Sequence, residues 1–273
     1  MDLSIIIVNY LSRAKTISCL DAILASDLTD LKWEIVLVDN NSGDDLDDLA
    51  VKYPNLKLIY SQKNWGMGGG NNLGIKNSRG KYLLILNPDT RVKPDAIKIL
   101  FNYLENHSDV LIAGPKLLNT DGSLQYSCAR FPRFYTPILR RTFLGEYFKS
   151  SRDGFLMIGQ PHDQIMPVDW LMGSCLIIRR DGFEGFDERY FMYFEDIDLC
   201  RRARRAGKQV VYVPSAVVIH DHARESATRP WYIGPFRDKL VRQHIRSWFK
   251  YFWKWLPFNP QKKVTNNFFK KYE

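Results

Sequence analysis

An α/β fold with a mostly parallel central sheet is what this chain of 273 residues predicts, on two observations. Short apolar runs rich in β-branched residues alternate with segments of helical spacing through the N-terminal half. Several of these runs also stop abruptly in polar residues, and open parallel sheets bind their ligands beyond such strand ends.

The elements follow in order. "LSIIIVNY" predicts a buried strand ending at Asn9. "SRAKTISCLDAILAS" predicts a helix, because Ile17, Leu20, Ile23 and Leu24 recur at helical spacing. "WEIVLVDNNSGD" predicts a second strand ending at Asp39, and "DDLDDLAVKY" a short helix with acids at its N-terminal end. "LKLIYS" predicts a third strand, and "GGGNNLGIKNSRG" a glycine-rich loop passing into a helix. "KYLLILNPD" predicts a fourth strand ending in Asn87-Pro88-Asp89, and "KPDAIKILFNYLENH" a helix with Pro94 in its first turn. Residues 120–165 carry little periodicity, several Pro and Gly, and the basic-aromatic patch "RFPRFYTPILRR". "VDWLMGSCLIIRR" predicts a strand, and "FEDIDLCRRARRAGK" a helix stopped by Gly207. "QVVYVP" and "AVVIH" predict two short strands.

Hydrophobic residues are 45% of the chain, enough for a sizeable core and against disorder. Cys19, Cys128, Cys175 and Cys200 are scattered without a CxxC pair, which predicts reduced thiols in a cytosolic compartment. "MDLSIIIVNY" lacks the basic region of a signal peptide, and no window reaches the ~18 apolar residues of a membrane span.

The net charge of +9 is concentrated at one end: residues 231–273 hold ten Lys/Arg against two acids. A catalytic domain over residues 1–230 and a basic, aromatic extension over 231–273 are therefore expected. Within the extension, Leu240, Val241, Ile245, Trp248, Phe249, Phe252 and Leu256 form an apolar helical stripe. Lys239, Arg242, Arg246, Lys250 and Lys254 form a basic one. Such a helix suits an anionic membrane surface, with packing on the domain as the competing use. Nucleic acid is not expected as a partner, since the body is nearly neutral and no recognition motif accompanies the tail.

Several stretches could carry chemistry. The glycines from Gly66 to Gly74 fit neither the dinucleotide fingerprint nor the Walker pattern, so close helix packing competes with a ligand contact. Asp39 and Asp89 each sit where a turn-forming residue or a ligand would sit, and Asp89 could hold Mg²⁺ or Mn²⁺ together with phosphate oxygens. Glu195 and Asp196 lie among Phe191, Tyr193 and Phe194, whose bulk raises a carboxylate's proton affinity towards that of a general base. His220 and His222 point the same way on an extended chain, which suits a metal or a backbone contact.

Taken together, "SIIIVNY", "EIVLVDNNSGD", "NWGMGGGNNLGI", "YLLILNPDT", "DWLMGSCLIIRR", "GFDERYFMYFEDIDLCRRARRAG" and "VVIHDHARES" resemble the motifs of family 2 glycosyltransferases of the GT-A fold, and among these the rhamnosyltransferase type of bacterial surface polysaccharide synthesis. The resemblance covers residues 3–255, most weakly in the middle, and implies inverting transfer from a nucleotide sugar. By it, Asp196 of the Glu195-Asp196 pair is the catalytic base. Asp39 contacts the nucleobase, with Asn9 in the same pocket. Asn64, Gly68 and Asn72 belong to a loop bordering the nucleotide, and Trp170 and Gly173 shape the sugar and acceptor site. Asp89 is the last residue of the D-x-D metal motif, Asn87 replaces its first Asp, and His220 joins the metal. It further implies Mn²⁺ or Mg²⁺, a nucleoside-diphosphate sugar donor (dTDP-rhamnose favoured, UDP- and GDP-sugars open), a glycan or lipid-linked acceptor, and a peripheral position on the inner face of the cell membrane. A catalytically inactive nucleotide-sugar-binding protein and a nucleotidyltransferase are the alternatives.

Overall fold

The computed structural model describes residues 1–142, 144–221 and 238–257. A ten-stranded mixed sheet forms the centre. The predicted strands are β1 (Leu3–Asn9), β2 (Trp33–Asp39), β3 (Leu56–Tyr60) and β4 (Tyr82–Leu86), all parallel in the order β3-β2-β1-β4. Between them run α1 (Arg13–Leu24), α2 (Asp47–Lys52) and α3 (Gly66–Lys76). A short β5 (Thr90–Val92) follows Asp89, and α4 (Ala96–Asn106) begins two residues beyond Pro94 rather than around it. β6 (Val110–Leu118) then enters the sheet.

The weakly patterned middle is built from small pieces: β7 (Leu124–Gln125), β8 (Cys128–Ala129), α5 (Thr136–Arg141), α6 (Leu144–Tyr147), α7 (Lys149–Phe155) and β9 (Met166–Pro167). The stretch expected as one strand is broken. β10 (Trp170–Leu171) pairs with β8 in a separate two-stranded sheet, and β11 (Cys175–Arg179) inserts antiparallel between β4 and β6. After α8 (Glu195–Arg205), the two expected short strands are one, β12 (Gln209–His220), parallel to β6. Its register shifts between Val213 and Val217, around Pro214, which has no N–H to give the ladder.

Strand periodicity divides the core. Leu3, Ile5 and Ile7 of β1, Ile35 and Leu37 of β2, and Leu84 and Leu86 of β4 pack on the face covered by α1 and α4. Ile6, Val36, Val38, Leu83 and Ile85 pack on the face covered by α3 and α8. All four cysteines lie buried and unbonded, and burial pushes the Cys19 thiol up to about 12, far from nucleophilic ionisation.

The extension contributes a last helix, α9 (Lys239–Lys254), capped by the Asp238 carboxylate, which accepts from Leu240 N at 2.7 Å. It docks on the body. Tyr251 is fully buried against Phe194, and its hydroxyl accepts from Arg201 at 3.0 Å. Ser247 donates to the Met192 carbonyl at 2.8 Å. Lys254 corrects the expectation of a solvated basic stripe. Its ammonium is buried, 2.7 Å from both Asp187 and Asp198, and Arg202 and the Trp255 indole complete the pairing of Asp198. Burial opposes the charge on Asp187, but Arg189 and Lys254 outweigh it and hold its carboxyl well below the ordinary range. The 230/231 boundary lies outside the described residues. Among the described residues no helix is long and apolar enough to cross a membrane.

Removing Lys254 leaves Asp187 with Arg189 and Asp198 with Arg202 and Trp255, but takes away the cation buried between the two carboxylates. Lys254→Met is expected to cost about 3–5 kcal/mol of stability, read as a shift in the midpoint of chemical denaturation. A shift within error would mean that α9 is not anchored by this cluster.

Candidate active site

The parallel register sets Asn9 of β1 beside Asp39 of β2. Asn9 is fully buried and donates to Asp39 at 2.9 Å and to Asp44 at 2.9 Å. Its own amide oxygen accepts from Ser12 and Thr16. Asp39 also accepts from the Ser42 N–H at 3.0 Å and from the Ser42 hydroxyl. Both side chains are therefore consumed in bracing the 39–44 turn, in which Asn41 is held at a φ of +60°. They stand at the ends of β1 and β2 and hold that turn in place beside the space beyond the strand ends. Asn40 was not singled out from the sequence. Its amide donates to Asn64 and to the Gly66 carbonyl, and it accepts from Trp65 N at 3.0 Å.

The glycine run is helix from Gly66 onward, not a loop. Gly66 has a φ of +75°, and a Cβ there would lie 1.9 Å from the Phe191 carbonyl oxygen. Met67 N–H donates to that same carbonyl at 2.8 Å. A Cβ on Gly74 would meet Ile6 of β1 at 2.5 Å. Gly68 packs against Phe186 and Glu195 in the same way. The glycines thus bring α3 onto the sheet and onto the 186–194 segment. Asn72 is fully buried, donating to the Phe186 carbonyl and to Glu188 and accepting from Phe186 N at 2.9 Å. These bonds hold the segment in front of α8.

The turn after β4 separates its structural and chemical parts. The Asn87 carbonyl accepts from Thr90 N and from the Thr90 hydroxyl, so the turn closes without the Asp89 side chain. Asp89 Oδ1 is buried with no hydrogen-bond partner, 3.4 Å from His220 Nε2. The separation suits an ion pair, but the atoms are not aligned for a hydrogen bond. Asp89 and His220 come together because β5 pairs with the end of β12, Thr90 opposite His220. His220 Nδ1 lies 2.7 Å from Gln125 Oε1. Gln125 is fixed in that sense because its NH₂ donates to Asn119 at 2.9 Å. Gln125 Oε1 thus accepts from His220 Nδ1–H and leaves Nε2 facing Asp89. Burial works against the charge of Asp89, yet His220 and Lys15 together bring its carboxyl below the ordinary range.

A carboxylate oxygen without a hydrogen-bond partner and an imidazole nitrogen 3.4 Å away are ligand types suited to a divalent cation. Among the described residues no group of three His, Cys, Asp or Glu converges, so such an ion would draw its remaining ligands from water and donor phosphates. Asn87 stands half-buried at the same turn. His222 lies outside the described residues.

Glu195 and Asp196 open α8. Tyr193 and Phe194, just before it, have φ of +67° and +70°, left-handed values that bulky residues hold only when their surroundings impose them. Asp196 Oδ2 accepts from the Gly173 N–H at 2.9 Å, and Oδ1 accepts from Ile197 N at 2.8 Å. The buried Trp170 indole N–H makes no hydrogen bond of ordinary geometry, though its dipole favours the carboxylate. Burial still dominates and raises the proton affinity of Asp196. Glu195 is raised as well, by burial first and then by the charge of Asp196, and its Oε2 is buried without a partner. Asp196 is the member of the pair that accepts from two N–H donors.

The antiparallel pairing of β11 with β4 joins the two halves. Cys175 faces Leu86, and Asn87 N donates to the Ser174 carbonyl at 2.9 Å. Gly173, one residue further on, holds Asp196. Asp89, His220, Gly173, Trp170 and the Glu195-Asp196 pair therefore gather at one edge of the sheet. Asn9, Asp39 and Asn64 border that edge through the 39–44 turn, while Gly68 and Asn72 lie behind it.

This arrangement has relatives. The glycosyl transferase family 2 model matches residues 4–163, more than half of the chain. The chain belongs to glycosyl transferase family 2. It is 33% identical over 223 residues to the N-acetylglucosaminyl-diphospho-decaprenol L-rhamnosyltransferase of Mycobacterium tuberculosis, covering 74% of this chain and 71% of that protein. It is 30% identical over 236 residues to the rhamnosyltransferase WbbL of Escherichia coli, covering 81% and 83%. In fold it is similar to GalNAc-T7, solved with UDP, GalNAc and Mn²⁺, with a TM-score of 0.62 at 14% identity over 81% of this chain and 44% of that one. The expected GT-A architecture is thus present, and the protein is a family 2 glycosyltransferase.

A methyl group on Gly173 would sit 3.1 Å from Asp196 Cβ and 3.4 Å from Oδ2. Gly173→Ala is expected to displace the carboxylate and to lower kcat by about 10- to 100-fold, with donor KM unchanged. Steady-state kinetics check this, and an unaltered kcat would remove Gly173 from the positioning of Asp196.

Proposed function

We propose that this glycosyltransferase moves a sugar, rhamnose in the favoured case, from a nucleoside diphosphate to a hydroxyl of a lipid-linked glycan, with inversion. One observation carries the reading. A single sheet edge joins an enclosed carboxylate of raised proton affinity to a second carboxylate whose buried oxygen lacks a hydrogen-bond partner beside the His220 imidazole. Support for the sugar comes from two relatives named as rhamnosyltransferases, with dTDP-rhamnose the favoured donor and UDP- or GDP-sugars as alternatives. Support for the acceptor comes from one relative's name, which specifies an N-acetylglucosaminyl-diphospho-decaprenol.

In the proposed reaction, Asp196 accepts the proton of the acceptor hydroxyl as its oxygen bonds to the anomeric carbon. The bond from that carbon to the diphosphate breaks in the same step, and the nucleoside diphosphate leaves with the electron pair. Gly173 N–H and Ile197 N–H keep the Asp196 carboxylate aimed, and neutral Glu195 adds no competing charge. Mn²⁺ or Mg²⁺ held by Asp89 and His220 would supply charge neutralisation at the leaving diphosphate. Gln125 would act through His220 by fixing its tautomer. The 39–44 turn and Asn64 border the nucleoside side.

Asp196→Asn is expected to abolish transfer while donor binding persists. In the wild type, kcat/KM is expected to fall on acidification at a pH above that of an exposed aspartate, because Asp196 must be ionised and its proton affinity is raised. Asp89→Ala is expected to be severe and to weaken Mn²⁺ binding, and Asn87→Ala to be milder. A fully active Asp196→Asn variant, or the reverse ranking at the turn, would sink the respective assignment. Absent donor turnover in wild type with added metal would favour an inactive nucleotide-sugar-binding protein. Pyrophosphate release would favour a nucleotidyltransferase.

The proposed location is the inner membrane surface. Phe249, Trp253 and Leu256 of the docked extension stay exposed, and Phe134, exposed as well, packs on Trp248 at 4.7 Å. Arg133, Arg246 and Lys250 accompany them. This aromatic and basic mixture suits an anionic interface. Phe249→Glu combined with Trp253→Glu is expected to abolish flotation with phosphatidylglycerol vesicles. Deleting α9 is an unsuitable test because Lys254 is part of the core. Equal flotation of variant and wild type would remove the membrane contact.

A further inference from the structure

Away from the strand-end cluster, a cavity of about 520 Å³ opens between α8 and the end of α9. Its lining is Phe131, Asp169, Arg201, Arg204, Arg205 and Trp255, none of them a sequence-predicted site residue. Three guanidinium groups face one space. Among the described residues none of the three has a carboxylate within ion-pair distance, although Arg189 and Arg202 of the neighbouring cluster are paired. The Asp169 carboxylate, the one acid in the lining, accepts from Phe131 N at 3.2 Å. Arg201 is already ordered: it donates to Tyr251 at 3.0 Å and lies over the Trp255 ring at 4.5 Å and the Phe131 ring at 5.5 Å. Arg205 lies 5.9 Å from the Trp255 ring.

We infer that this cavity is a subsite for the diphosphate of a lipid-linked acceptor. Unpaired guanidiniums gathered at a cavity, one of them prearranged, match an ion with several anionic oxygens. The aromatic rim suits a chain that leaves the phosphate as hydrocarbon, and the exposed aromatics of α9 continue from Trp255 towards the proposed interface. Its position suits the acceptor. Asp169 lines the cavity and the next residue, Trp170, neighbours the catalytic carboxylate. Arg201, Arg204 and Arg205 lie on the helix that carries Asp196, about one to three turns further along it. The inference rests on the lipid-linked acceptor reading and deepens it.

The test uses the full chain with chelator present, so that no metal bridges the probe to Asp89. Farnesyl diphosphate is titrated by calorimetry into wild type, the Arg204→Ala/Arg205→Ala variant, the Arg204→Lys/Arg205→Lys variant and Asp89→Ala. Both arginines are exposed, so the fold is not at stake. The expected result is binding to wild type, a loss of about tenfold or more with the alanine pair, partial recovery with the lysine pair, and no change with Asp89→Ala. Farnesol is expected not to compete. Equal binding by wild type and the alanine pair, or no binding by wild type, overturns the subsite. A parallel arm measures phosphatidylglycerol vesicles. If the alanine pair loses vesicle binding and keeps farnesyl diphosphate, the arginines serve bulk lipid and the acceptor assignment falls. Arginine-dependent farnesyl diphosphate binding in an enzyme that glycosylates no diphospholipid leaves the subsite standing and removes the acceptor reading instead.

Discussion

The antiparallel insertion of β11 beside β4 is the constraint on which the site depends. Four parallel strands bring Asn9, Asp39 and Asn87 to one edge, but none of their side chains is a proton acceptor free to act. β11 runs the other way, so its N-terminal end arrives at that same edge. Its approach gives the Ser174 carbonyl to Asn87 and the Gly173 N–H to Asp196. One β-ladder therefore fixes the spacing between the turn that carries Asp89 and the helix that carries Asp196. Glycine at 173 lets the backbone come close enough to donate.

The aim of α8 is set from behind by the glycine-rich helix. Gly66 admits the Phe191 carbonyl, Met67 N–H bonds it, and Asn72 ties down the backbone of Phe186. These contacts hold the 186–194 segment in the conformation that ends in two left-handed aromatic residues. The left-handed backbone in turn directs Glu195 and Asp196 inward. A glycine run that invites a phosphate-loop reading packs the segment in front of α8.

This shows where the sequence was legible. Apolar runs located β1 to β4, because a strand buried on both faces must be continuous in hydrophobicity. The strand-end rule grouped Asn9, Asp39 and Asp89, and parallel pairing does set Asn9 beside Asp39 with β4 on the other side of β1. What escaped was decided by contacts between distant residues. Nothing local distinguishes Asn72, which is buried under Phe186, from an asparagine facing a ligand, and nothing local marks Gln125 as the partner of His220. Pro214 suggested a break in β12, but pairing with β6 continued past it through a register shift. Lys254 fell in a helical stripe with four other cations, and periodicity alone cannot tell a solvated lysine from one neutralised in the core.

That buried lysine changes what the basic extension does. A tail attached only by apolar packing would be free to leave the body for the membrane. Here Lys254 reaches Asp198 on the same helix that begins with Asp196, and Tyr251 packs on Phe194 next to the base. Undocking α9 would expose the Asp187 and Asp198 carboxylates and remove a wall from behind the left-handed turn. The helix therefore meets any membrane while docked, presenting Phe249 and Trp253 from a fixed position. Fixing the extension also fixes Trp255 over Arg201, so the arginine cavity and the Asp196 carboxylate belong to opposite ends of one braced helix. The position of Trp255 relative to Asp196 is thereby set by the Lys254–Asp198 and Trp255–Asp198 contacts on α8.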